Sequence, residues 1–154
     1  MYSSRAIRRI REFIALPVGD KARILVATIL LNILSISISI LPFSRVRGVL
    51  LRLSTILTRI VPGEPSPAHI ARTVDIVDRC VLGDRTCLVR SLSTEMLLAL
   101  YGYAPRHVIG VSQNSKGELT AHSWLEYEGE ILIGEQDDIS EFEELPPLGR
   151  KGKQ

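Results

Sequence analysis

The sequence has little of what a metal centre or a disulfide framework requires. Its 154 residues contain two cysteines, Cys80 and Cys87, and three histidines, His69, His107 and His122. Two cysteines do not make a disulfide framework, and these scattered side chains do not supply a metal site, so no metal and no cofactor are expected. A reducing, cytoplasmic setting follows from the same scarcity. Aromatic residues are also few, at 5% of the chain. Residues 1–60 offer only Tyr2, Phe13 and Phe43 and no recognised nucleic-acid motif, so no nucleic-acid partner is expected.

Charge is plentiful, but it is unevenly placed. Residues 1–60 carry ten Lys or Arg against two acids, a balance of +8, whereas residues 61–154 carry nine against fifteen, a balance of −6. The length allows one domain, here taken as residues 1–147. Within it, 1–65 form a helical, apolar and basic part and 66–147 a catalytic core, while the tail 148–154 has little to pack and is expected to be disordered.

Ile7, Ile10 and Ile14, with Phe13, put an apolar stripe on a first helix whose other faces carry arginines. Pro17 to Asp20 reads as a loop, and residues 24–41 are nearly all apolar. A signal peptide is disfavoured there, because the preceding polar region is long and no small-residue cleavage pattern follows. Between the two remaining readings, a helix buried in the core is preferred to a membrane span, for which the stretch is only just long enough. The alternation Ser35-Ile36-Ser37-Ile38-Ser39-Ile40 is also strand-like. A further apolar helix is predicted over 46–60.

Ser66 and Pro67 supply a cap and a first position for the next helix, with Ile70, Val74, Val77 and Val81 as its inward stripe and Cys80 as a structural thiol near its end. After a turn at Gly83-Asp84-Arg85, Thr86 or Asp84 caps a helix that Cys87 opens, and Leu88, Leu92, Met96 and Ala99 give that helix one apolar face. Beyond Tyr103 the period becomes extended. Residues 107–111, 119–127 and 130–133 read as three antiparallel strands, joined by turns at 114–117 and at Glu128-Gly129. The fold class is therefore α+β, with a helical N-terminal half followed by a helix packed on a small antiparallel sheet.

Cys87 and His122 are the pair that carries chemistry. A thiol attacks well only as the thiolate, and a helix N-terminus aims unpaired N–H groups and the positive end of its dipole at such a sulfur. An imidazole on a neighbouring strand takes the proton and later returns it to a leaving amine. Trp124 projects from the same strand face as His122, and Arg90 is read as an ion-pair residue. His69, near a helix start, and His107, opening a strand, lack comparable support.

Cys87-Leu88-Val89-Arg90-Ser91-Leu92, then Gly102, Val108-Ile109-Gly110-Val111 and Ala121-His122-Ser123-Trp124-Leu125-Glu126 together resemble the lasso-peptide biosynthesis B protein in its split, protease-only form. The motif resemblance spans about residues 66–147. It implies a transglutaminase/papain-like core and a cysteine peptidase that removes the leader from a ribosomally made precursor peptide. It also implies two partners, a small leader-binding protein of the RRE type and an asparagine-synthetase-like cyclase. The family places an acid about a dozen residues after the histidine, where this chain has Gly134; Glu135 comes next, followed by Asp137 and Asp138. Glu135 is the candidate third member, Asp137 the second choice, and a dyad assisted by a backbone carbonyl or water the alternative. Two other readings stand beside the peptidase. One is an acyl transferase of the transglutaminase kind; the other is a non-catalytic, membrane-associated scaffold that uses the basic N-terminal half for peripheral membrane contact.

Overall fold

The computed structural model describes residues 15–80, 85–113 and 117–146. The stripe expected at Ile7 to Ile14, most of the two turns at 83–85 and 114–117, and the tail 148–154 lie outside them. Helix α1 spans Val18–Ile40 and begins directly after Pro17. The loop expected at Pro17 to Asp20 is instead its entry and first turn. The Pro17 carbonyl accepts from the amides of Asp20 and Lys21, both at 3.1 Å, and Asp20 pairs with Arg23 one turn on. The serine–isoleucine alternation is helical, with the Ser39 hydroxyl donating to the Ser35 carbonyl at 2.9 Å, a local bond that lets serine sit inside a helix.

The core-helix reading holds for one face of α1 only. Arg23, Ala27, Leu31 and Leu34 are buried, whereas Leu25, Ile29, Ile33, Ile36 and Ile40 are between 46% and 73% exposed. Helix α2, Phe43–Ile56, starts after Pro42 and so lies three to four residues earlier than the expected 46–60. Helix α3, Pro67–Cys80, is capped as the sequence predicts, the His69 amide donating to the Ser66 hydroxyl at 3.3 Å. Ile70, Val74 and Val77 form its inward stripe. Cys80, expected to be a buried structural thiol, is exposed instead, because it lies off that stripe at the last position of the helix.

Helix α4, Cys87–Leu100, is the centre of the molecule. The sequence predicts one apolar face, yet every residue from Ser91 to Leu98 is buried, because α1, α2, α3 and the sheet all pack against this helix. The sheet has strands β1 (Arg106–Gln113), β2 (Leu119–Tyr127), β3 (Glu130–Ile133) and the two-residue β4 (Glu143–Glu144), in the antiparallel order β3-β2-β1-β4. The architecture is thus the α+β arrangement expected, to which β4 and a 3₁₀ turn at Ile139–Glu141 are additions. Between β2 and β3, Glu128 and Gly129 have φ of 52° and 87°, the left-handed pair that a tight hairpin requires.

Candidate active site

Strand β2 alternates its side chains between two environments. Ser123 and Leu125 face α4: the Ser123 hydroxyl lies 2.6 Å from that of Ser91, and Leu125 is in the main core cluster. His122 and Trp124 take the opposite face, where their rings stack with centroids 6.0 Å apart and Phe142 from the 3₁₀ segment covers them. Gly110 lies directly across from His122. A Cβ there would stand 2.8 Å from Phe142 and 2.9 Å from the Trp124 ring, so the glycine is what admits this aromatic cover.

The His122 ring is held by the backbone. Its Nε2 lies 2.6 Å from the Gly134 carbonyl oxygen. A carbonyl only accepts, so Nε2 carries the hydrogen, and in the neutral ring it is Nδ1 that holds the lone pair. Gly134 has φ 88°, and a Cβ on it would lie 2.7 Å from the Ser123 carbonyl and 2.8 Å from the Trp124 Cβ. Both the conformation and the space demand glycine. Gly134→Ala is expected to destabilise the protein by about 2–3 kcal/mol through backbone strain and crowding, and urea unfolding beside the parent protein measures it.

Cys87 is partly buried at the first position of α4. Thr86 is the N-cap, its hydroxyl accepting from the Val89 amide at 3.3 Å, the arrangement that fixes a helix start. Ion pairs to α3 pin the same turn. Arg90 reaches Asp75 at 2.5 Å and Asp78 at 3.1 Å, the role the sequence assigned it, and Arg85 reaches Asp78 at 3.5 Å.

Four residues separate Cys87 from Ser91 and Ser91 from Glu95, so the three share one helical row, and the two later members touch the sheet. Cys87 heads that row at the first position of α4. Among the described residues no hydrogen bond joins its side chain to that of His122. Arg90, three residues after Cys87, lines a cleft with Gly134 and Glu135, and His122 is bonded to Gly134. Glu135, Asp137 and Asp138 are all exposed, and the group on the imidazole is the Gly134 carbonyl rather than any of these carboxylates.

A second constellation has no counterpart in the sequence reading. His107 Nδ1 lies 2.6 Å from Glu95 Oε2, and its Nε2 lies 2.8 Å from the Ser123 hydroxyl and 3.2 Å from that of Ser91. Arg47 closes the network from α2, its Nε 3.1 Å and its terminal nitrogen 2.5 Å from the two Glu95 oxygens. The His107 and Glu95 side chains are only 2% and 4% exposed. Burial by itself pushes the Glu95 carboxyl up, but the bonds and charges of His107 and Arg47 outweigh it and hold the group below the usual carboxylate range. The signal available was the i, i+4, i+8 spacing of Cys87, Ser91 and Glu95 in an otherwise apolar helix. The network joins the residue one turn after Cys87 to the residue next to His122.

An open cleft of about 450 Å³ lies alongside, lined by Phe43, Leu88, Ile109 and Leu145 with Arg47, Arg106 and His107. Among the described residues no group of three His, Cys, Asp or Glu side chains stands in a metal-ligating arrangement.

A helix opened by Cys87 thus packs on an antiparallel sheet that carries a backbone-oriented histidine, His122. The family model for the transglutaminase-like superfamily matches residues 31–146, and the chain belongs to that superfamily. No curated protein and no solved structure matches it.

Proposed function

We propose that the protein is a cysteine peptidase that removes the leader from a ribosomally made precursor of the lasso-peptide kind. The observation that carries the reading is Cys87 at the Thr86-capped start of a central helix within a transglutaminase-like chain. Cys87 is the nucleophile, and its thiolate attacks the bond between leader and core. His122 is the base: with Nε2 engaged by Gly134, Nδ1 takes the thiol proton and returns it to the departing amine. The β2–β3 ladder covers only Leu125 to Tyr127, so the β2 edge beside His122 is unpaired by β3, and we infer that sulfur and ring approach each other around this edge on substrate binding. The Cys87 amide at the helix start faces the developing oxyanion. Water then hydrolyses the leader thioester, and the cleft beside Leu88 has room for a substrate side chain.

Glu135 is the carboxylate proposed for the third position. Because the Gly134 carbonyl already orients the ring, Glu135→Gln is expected to slow cleavage by roughly tenfold at most, with Asp137→Asn and Asp138→Asn at the parental rate. Single-turnover cleavage assays rank the three, and equal rates in all of them leave a Cys–His dyad.

The reading is tested by incubating the precursor peptide with the protein, with and without a small leader-binding partner, and weighing the products. A free core peptide and a leader acid support the peptidase; a leader joined to an added amine identifies the acyl transferase instead. A partner that grips the leader raises the local concentration of the scissile bond, so its presence is expected to accelerate cleavage strongly. The freed core amine is the group a separate cyclase uses.

A further inference from the structure

Helix α1 has two apolar faces. The inner one is spoken for, since Ala27, Leu31 and Leu34 are buried in the common core with α3 and α4. The outer one, Leu25, Ile29, Ile33, Ile36 and Ile40, recurs at intervals of three and four and is covered by nothing among the described residues. Among the described residues α1 is also the one helix long and apolar enough to cross a bilayer. A span would have to surrender the packed inner face to lipid, whereas a helix lying in the interface plane needs only the outer one.

Charge selects the occupant. Across residues 18–60 Asp20 is the single acid, and it is paired with Arg23; Arg45, Arg52 and Arg59 are all exposed. The rest of the chain, residues 61–154, has the opposite balance of −6. An anionic surface therefore attracts the N-terminal half and repels the half that holds Cys87, which sets an orientation as well as an affinity. The exposed stripe is wholly aliphatic, without the Trp, Tyr or Met anchors that characterise protein interfaces.

We propose that the outer face of α1, together with the exposed Arg45 and Arg52 of α2, seats the protein on an anionic membrane surface as a peripheral, in-plane contact, leaving the Cys87 side in solution. The inference stands apart from the peptidase reading.

Flotation of the full chain with phosphatidylglycerol-containing vesicles, and with phosphatidylcholine vesicles as control, tests it. Binding is expected to the first and not the second, to weaken with salt, and to be reversed by alkaline carbonate. Ile29→Glu combined with Ile33→Glu alters exposed side chains and is expected to lower vesicle affinity about a hundredfold. Arg45→Gln and Arg52→Gln are expected to lower it about fivefold each. Unchanged thermal melting of these variants shows that the fold is intact. Three outcomes overturn the proposal: equal binding to both vesicle types, retention through carbonate extraction, which would mark a span, and a dimer in solution that the Ile29/Ile33 variant dissociates while vesicles are ignored, which would assign the face to a second copy.

Discussion

Cys87→Ala is expected to melt like the parent protein while leader cleavage falls by roughly four orders of magnitude or more, the scale seen when a covalent nucleophile is removed. The side chain is only partly buried and makes no hydrogen bond among the described residues, so little packing is lost. His122 needs a different substitution. Its ring is buried, stacked on Trp124 and bonded to Gly134, so an alanine there would remove structure as well as chemistry. His122→Gln is the better probe, and it is expected to lose cleavage nearly as completely. Cys80→Ala, at the exposed end of α3, should keep full activity. Mass spectrometry of the precursor digest reads all three, and normal cleavage by Cys87→Ala would end the peptidase hypothesis.

The largest effect on stability is expected at Glu95. Replacing it with alanine leaves the Arg47 guanidinium and the His107 ring facing a buried space without their shared acceptor, at a cost of about 3–5 kcal/mol. The pH dependence has a definite sign. The Glu95 carboxyl in the folded protein lies below its ordinary value, so its contribution is complete above the unfolded value of about 4.3. That contribution is lost as pH falls through the lower, folded value. Denaturant titrations between neutral and strongly acidic pH should show this acid loss in the parent protein and a shallower one in Glu95→Gln, which cannot ionise. A parallel decline in both would move the acid sensitivity to other carboxylates.

Much of this arrangement was legible in residue order, and the exceptions have physical reasons. The Ser66-Pro67 start, the Thr86 cap and the Glu128-Gly129 hairpin rest on local chemistry, and each lies where the sequence places it. Strand periodicity put His122 beside Trp124 correctly, because alternation along β2 is a property of the strand alone. Which face met α4 was not legible, since Ser123 and Leu125 turn inward only because Ser91 and the core receive them. The Glu95–His107 pair was missed for a related reason: the two residues are twelve apart and become partners only when β1 folds back over the helix. At Gly134, the position that the family spacing indicates, a backbone carbonyl oxygen lies on the His122 ring, a contact that side-chain reasoning does not supply. For α1, hydropathy identified an apolar helix but could not count its faces, and burial turned out to claim only one of them.

The enclosure of α4 also governs how the molecule opens. Every residue from Ser91 to Leu98 is buried, and its covers come from three other helices and the sheet, so no single local fluctuation is expected to expose the stretch. Its amides should therefore exchange with deuterium only when the whole protein unfolds, at the global free energy. The unpaired β2 edge near Ala121 and the outer residues of the two-residue β4 should exchange much sooner. Among the described residues, the helix that Cys87 opens is thus expected to be the slowest-exchanging element, and the strand edge near His122 among the fastest.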